Sequence, residues 1–253
     1  MKKYFFRIGM CLTTILLLFG LFSVSAESTI YRMNVYQKDG QKIQFEVSGI
    51  DSIQFDTVCV EKGYEYIDLG LPSGLKWATR NVGASSPEDF GDYYAWGDTI
   101  VREKYIPGEY YYEKYDSIFS FEDVVKTKVE GNWRMPTEEE MEELEKKCTW
   151  KWITQNGVNG YKVIGPNGNF IFLPAAGYRS RDELSGDGTS GCYWSSSSHK
   201  DEEGNEDFNY AHYLSFYSDL VRVSYYNRCN GFTIRGVWQK KESESESEGG
   251  SEE

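Results

Sequence analysis

Two histidines, four cysteines beyond residue 26 and two acidic loops are the residue types in this chain that could do chemistry. A hydrolase sets an imidazole beside an activated nucleophile, and neither His199 nor His212 sits in a recognisable nucleophile phrase. Each reads first as a surface or hydrogen-bonded structural residue. Cys59, Cys148, Cys192 and Cys229 show no C-x-x-C and no Cys/His ligand spacing, which argues against zinc, iron-sulfur and thioredoxin-type chemistry. Paired disulfides and buried free thiols both stay open. Calcium takes six to eight oxygens. Asp182, Glu183 and Asp187, or Asp201, Glu202, Glu203, Asn205, Glu206 and Asp207, offer such donors. A solvated acidic loop is the plainer reading of each. No P-loop or dinucleotide fingerprint is present. The expectation is a protein that is not an enzyme, with no catalytic residue, no metal and no cofactor.

The most suggestive stretch runs from Tyr193 to Arg228, where tyrosines alternate with Ser, Asn and Asp. Tyrosine gives large amphipathic contact area at low rotamer cost, and the small polar residues give adaptable hydrogen bonds. The candidate ligand-binding residues are Tyr193, Tyr210, Tyr213, Tyr217, Tyr225, Tyr226, Asn227 and Arg228. Strand alternation exposes about half of such a run, and Leu214, Phe216 and Val223 belong to its buried half. A contiguous exposed cluster of Tyr193, Tyr210, Tyr225 and Tyr226 would favour binding. Their dispersal or burial would favour a purely structural surface protein.

The elements that hold this stretch begin with an address. Lys2, Lys3 and Arg7 precede a mostly apolar run, Ile8 to Phe22, and Val24-Ser25-Ala26 places small residues at a cleavage position, so residues 1–26 read as a signal peptide. The run is short for a membrane span, and none is expected after its removal. Export outside the cytoplasm follows, to the periplasm, the cell surface or the medium. The formal charge of the whole chain is -13, a field that repels nucleic acid and anionic lipid. With 40% apolar and 16% aromatic residues over 253 positions, the chain can bury a core.

Residues 27–60 read as a β-hairpin module, with alternating runs on either side of Asp39-Gly40 and a third short strand at Ile53 to Val58. Short strands and glycine-rich turns fill residues 61–239. Asp92 to Gly97 is an aromatic strand candidate. One main helix starts at Thr137, an N-cap with Glu140 three residues on and acids in the first turn. Its Met141, Leu144 and Cys148 stripe implies packing rather than chemistry. Trp150 to Thr154, Tyr161 to Ile164 and Asn169 to Leu173 form a meander. Arg179 to Gly191 reads as a polar loop, Cys192 to Ser195 as strand, and two last strands lie near Tyr210 to Phe216 and Gly231 to Trp238. Residues 240–253, rich in Ser and Glu without an apolar residue, read as a disordered acidic tail.

Several phrases taken in order resemble a known family. Tyr66 to Thr79 with its Leu69-Gly70-Leu71-Pro72-Ser73-Gly74 core, Asn81-Val82-Gly83-Ala84, Tyr94-Ala95-Trp96-Gly97, Trp133-Arg134-Met135-Pro136-Thr137, Phe172 to Arg179, Tyr193-Trp194-Ser195-Ser196 and Gly231 to Arg235 look like the Fibrobacter succinogenes major paralogous domain of exported Bacteroidetes proteins. The resemblance covers about residues 64–238 and implies an α+β, C-type-lectin-like fold related to the formylglycine-generating group. It also implies a ligand face in the C-terminal region. Arg80 stands where many members carry Cys, which removes a bridge to Cys148. The oxidase chemistry of the formylglycine-generating relatives needs a closely spaced cysteine pair, and Cys229 stands alone. The expected function is a binding module for a glycan or protein ligand at the cell exterior, with a structural surface protein as the alternative and an oxidase a distant third. The oligomeric state is left open.

Overall fold

The computed structural model describes residues 16–17, 32–36, 42–46, 59–61, 63–110, 122–129 and 131–239. The chain divides into two compact units, Met1–Thr57 and Val58–Glu253. In the first, β1 (Leu16–Leu17) pairs with β2 (Arg32–Tyr36), which pairs antiparallel with β3 (Lys42–Glu46), Arg32 opposite Glu46 and Tyr36 opposite Lys42. That is an antiparallel hairpin register, and the Asp39-Gly40 turn expected between the strands lies outside the described residues. The remainder of residues 1–26, the short strand expected at Ile53 to Val58 and the tail 240–253 lie outside the described residues.

The second unit runs β4 (Cys59–Glu61), β5 (Tyr64–Asp68), β6 (Lys76–Ala78), helix α1 (Val124–Lys128), β7 (Trp133–Arg134), helix α2 (Glu138–Lys147), β8 (Thr149–Gln155), β9 (Val158–Ile164), β10 (Phe170–Pro174), β11 (Ala176–Ser180), β12 (Glu183–Asp187), β13 (Ser190–Lys200), β14 (Glu206–Tyr217), β15 (Leu220–Asn227) and β16 (Val237–Trp238). They form three sheets, ordered β10-β9-β8, β12-β11-β13-β14-β15 and β4-β5-β6-β16-β7. All strand pairs are antiparallel except β11 with β13. The fold is therefore mostly antiparallel sheet with few helices, and no helix among the described residues is long and apolar enough to cross a membrane.

Local chemistry accounts for the elements. Asn156 and Gly157 both take positive φ, 49° and 83°, which supplies the tight turn between β8 and β9. At α2 the Thr137 hydroxyl accepts from the Glu140 amide at 3.3 Å and the Thr137 amide donates to Glu140 Oε2 at 2.9 Å, a complete capping box. Arg134 grips the same carboxylate with both terminal nitrogens, at 2.7 and 2.5 Å, and so anchors the helix start to β7. Met141 and Leu144 are buried, as the helical stripe requires.

The sheet containing β13 and β14 separates two apolar clusters. Tyr193, Leu214 and Phe216 point into one, with Trp77, Met141, Leu144, Tyr161 and Leu173. Cys192, Trp194, Ala211 and Tyr213 point into the other, with Tyr94, Trp96, Trp133 and Phe232. Arg235 lies between sheets, fully buried. Its guanidinium donates to Asn81 Oδ1, Ala78 O and Phe172 O, each at 2.9 Å.

Three expectations are corrected. Asp92 to Gly97 contains no strand. It is an extended segment held by a single bridge, Tyr94 with Phe232, and buries Tyr93, Tyr94 and Trp96. Arg179 to Gly191 is no loop: it carries the end of β11 and all of β12, joined through Arg181 in the left-handed region at φ 56°. The third miss is β15, an eight-residue strand paired to β14 across the short Ser218-Asp219 turn.

Replacing Arg235 with Leu strands three buried acceptors, each worth about 1–3 kcal/mol. A stability loss of about 3 kcal/mol or more is expected from urea denaturation, and an unchanged midpoint would remove Arg235 from this role. Thr137→Ala should cost about 1 kcal/mol by the same assay, the usual worth of an N-cap hydroxyl.

Candidate functional site

The candidate residues do not form one face. Because both sides of the β13–β14 sheet are covered, alternation sends side chains into a core whichever way they point. Tyr193 is buried, stacks on Phe216 at 5.8 Å and donates its hydroxyl to Pro174 O at 2.6 Å. Tyr213 is buried on the opposite side, 5.0 Å from the Phe232 ring. Arg228 is fully buried: it lies 4.2 Å over the Trp96 ring and donates to Tyr210 O at 2.8 Å and Glu206 Oε1 at 3.2 Å. Asn227 is half-buried and its side-chain oxygen accepts from the Cys229 amide at 3.1 Å, closing a turn. These four positions have structural work, and the expectation of a surface role is corrected for Tyr193, Tyr213 and Arg228.

Tyr210, Tyr225 and Tyr226 are exposed at the end of the sheet that the clusters leave uncovered, and Tyr217 is exposed at the other end, beside the β14–β15 turn. Register then divides them. Tyr225 stands opposite His212 and Tyr226 opposite Ala211, so the adjacent tyrosines project from opposite faces. Tyr226 packs with Tyr178, Tyr213 and Phe232 at 5.7 to 6.3 Å. Tyr225 belongs with Tyr210, at 5.7 Å and 81°, and with His199, on which it stacks at 3.8 Å and 17°.

This second group borders an open cleft of ≈ 610 Å³ lined by Glu138, Glu139, Ser196, Ser197, Ser198, His199, Lys200 and His212. The elements that build it meet at the start of α2. The Glu138 amide donates to Ser197 Oγ at 2.9 Å, tying β13 to the helix N-terminus. Register shifts in β13 on both sides of Ser198 re-aim the strand. His199 Nδ1 then lies 3.3 Å from His212 Nε2, and Glu138 Oε1 lies 2.9 Å from His212 Nδ1, a close contact off the line of a hydrogen bond. Burial, helped by His199, pushes the His212 pKa down. Burial and the neighbouring Glu139 and Glu142 push Glu138 up.

Neither the histidine pair nor its meeting with α2 was foreseen, and α2 does more than pack. The histidines stand at i and i+13 on strands whose pairing includes a bulge, so no spacing rule brings them together; only His212 falls within an expected strand, Tyr210 to Phe216, and His199 lies past the one expected at Cys192 to Ser195. The acidic run that starts at Asp201 behaves as a solvated turn, Asp201 accepting from the Glu203 and Asn205 amides at 3.0 and 2.8 Å, whereas Glu183 and Asp187 stand at the two ends of β12. Among the described residues no three His, Cys, Asp or Glu side chains converge as a metal site. Among the described residues the four cysteines, Cys59, Cys148, Cys192 and Cys229, are free. Burial pushes the thiol pKa values up, to about 11 for Cys148 and Cys229 and about 12 for Cys192, far from a thiolate nucleophile.

Residues 150–237 match a family model described as a domain of unknown function, DUF8237. That span holds β8 through β15 and both histidines. No curated protein matches the chain, and no solved structure does.

Alkylation of the chain denatured without reductant should label all four of these cysteines, with Cys192 and Cys229 resistant in the native protein. A disulfide-linked peptide pair seen by mass spectrometry would contradict this arrangement.

Proposed function

We propose that this protein is an exported, non-catalytic glycan-binding module of C-type-lectin-like fold, akin to the Fibrobacter succinogenes major paralogous domain. Its recognition surface is the Tyr210–Tyr225–His199 group and the adjoining cleft. The observation that carries the reading is the exposed pair of tyrosine rings at nearly a right angle beside a polar cleft. Sugars present C–H faces that pack on aromatic rings and hydroxyls that need fixed donors and acceptors. Here the rings border serine hydroxyls, two carboxylates and two imidazoles. The short antiparallel strands around α2 support the fold assignment, and the basic, then apolar, N-terminal sequence supports export. Non-catalysis is supported by the raised thiol pKa values.

A structural surface protein is the second reading, favoured by the burial of Tyr193, Tyr213 and Arg228 and by the split between Tyr225 and Tyr226. A glycan array separates the two. The purified chain should give selective signal that falls about tenfold, or about 1.4 kcal/mol, in Tyr225→Ala. Tyr217→Ala, exposed on the other face, should leave the signal unchanged. Silence across the array, or equal loss in both variants, would sink the glycan reading at this surface.

A further inference from the structure

The histidine pair carries an inference that goes beyond recognition by the tyrosine surface and does not rest on it. Zinc binds imidazole nitrogen at about 2.0–2.1 Å. Two such nitrogens on one tetrahedral ion therefore stand about 3.3 Å apart, the chord of the tetrahedral angle at that bond length. His199 Nδ1 and His212 Nε2 are separated by 3.3 Å. Metal-ligating histidines almost always turn their other nitrogen to a carboxylate, carbonyl or water, and His212 Nδ1 faces Glu138 Oε1 at 2.9 Å. We infer that His199 Nδ1 and His212 Nε2 form a two-imidazole site for a transition-metal dication of the Zn²⁺ or Cu²⁺ type, with Glu138 as the outer carboxylate.

The rings are held for this. His199 is fixed by its stack on Tyr225, 3.8 Å away, and both histidines belong to paired strands of one sheet. Each facing nitrogen binds the ion through its lone pair, which leaves N–H on His212 Nδ1 toward Glu138 and on His199 Nε2. No third protein ligand of the His, Cys, Asp or Glu type joins them among the described residues, so the remaining coordination positions open onto the cleft, to water or to a donor brought by a bound molecule. Lys200 in the cleft wall opposes a cation, while Glu138 and Glu139 favour it. Imidazole ligands select zinc and copper over calcium and magnesium.

The test uses the full chain, purified without a histidine tag and with its accessible thiols alkylated in the native state, titrated with Zn²⁺ by calorimetry. The chain has two histidines, so the background is low. The inference expects one ion per chain, loss of binding in both His199→Gln and His212→Gln, weakening of about 10–100-fold in Glu138→Gln, and no competition by Ca²⁺. Copper added to the unmodified chain gives a second readout that needs no variant to fold: its electron paramagnetic resonance should show two coordinated imidazole nitrogens. Absence of zinc binding, zinc binding that survives either histidine substitution, or a copper spectrum with fewer than two nitrogens overturns the site.

Discussion

The second unit is organised around one buried guanidinium. A charge taken out of water is expensive unless every donor is used, and Arg235 spends its donors on three separate chain segments. It bonds Ala78 at the end of β6, Asn81 in the loop that follows and Phe172 in β10. Burial lowers the Arg235 pKa to about 10, so the group stays charged at neutral pH. One side chain thus ties β6 and the loop after it to β10. Just beyond β9 and β5 the chain is equally close-packed: a Cβ at Gly165 would lie 2.0 Å from the Leu69 carbonyl oxygen.

That convergence explains where recognition can occur. With α2 and the β8–β10 sheet on one side and the aromatic cluster of Trp96, Trp194 and Phe232 on the other, the middle of the β13–β14 sheet has no solvent face. Only its far end is open, where β15 forms the edge and β13 bulges toward the start of α2. There the same capping chemistry that starts the helix leaves Glu138 and Glu139 facing the cleft. Packing therefore confines the polar, aromatic surface to one corner rather than spreading it along the tyrosine-rich segment.

Features set by local chemistry were legible in the sequence. The Thr137–Glu140 capping box, the Asn156-Gly157 turn and the antiparallel β2–β3 pair depend on residues close in sequence. Features that tertiary covering decides were not. Tyr193 and Tyr213 look like half of an exposed stripe because a sequence does not say that both faces of a sheet are buried. β12 was hidden because Leu184 is its one large apolar residue, and β15 because Arg222, Ser224 and the adjacent Tyr225 and Tyr226 blur its alternation. Of the candidate site, Tyr210 and Tyr225 were named in advance, whereas His199, His212 and Glu138 meet only through strand register and a bulge.

The central claim is that strand register divides the exposed tyrosines, placing Tyr210 and Tyr225 with the histidines and Tyr217 and Tyr226 on the opposite face. Tyrosine nitration of the native chain, read by mass spectrometry with and without the His199→Ala substitution, tests it most directly. The account predicts nitration of Tyr210, Tyr217, Tyr225 and Tyr226, protection of Tyr193 and Tyr213, and a rate increase in the variant at Tyr225 but not at Tyr226. Nitration of Tyr193, or equal acceleration at Tyr225 and Tyr226, would place the tyrosines on a single surface and contradict the account.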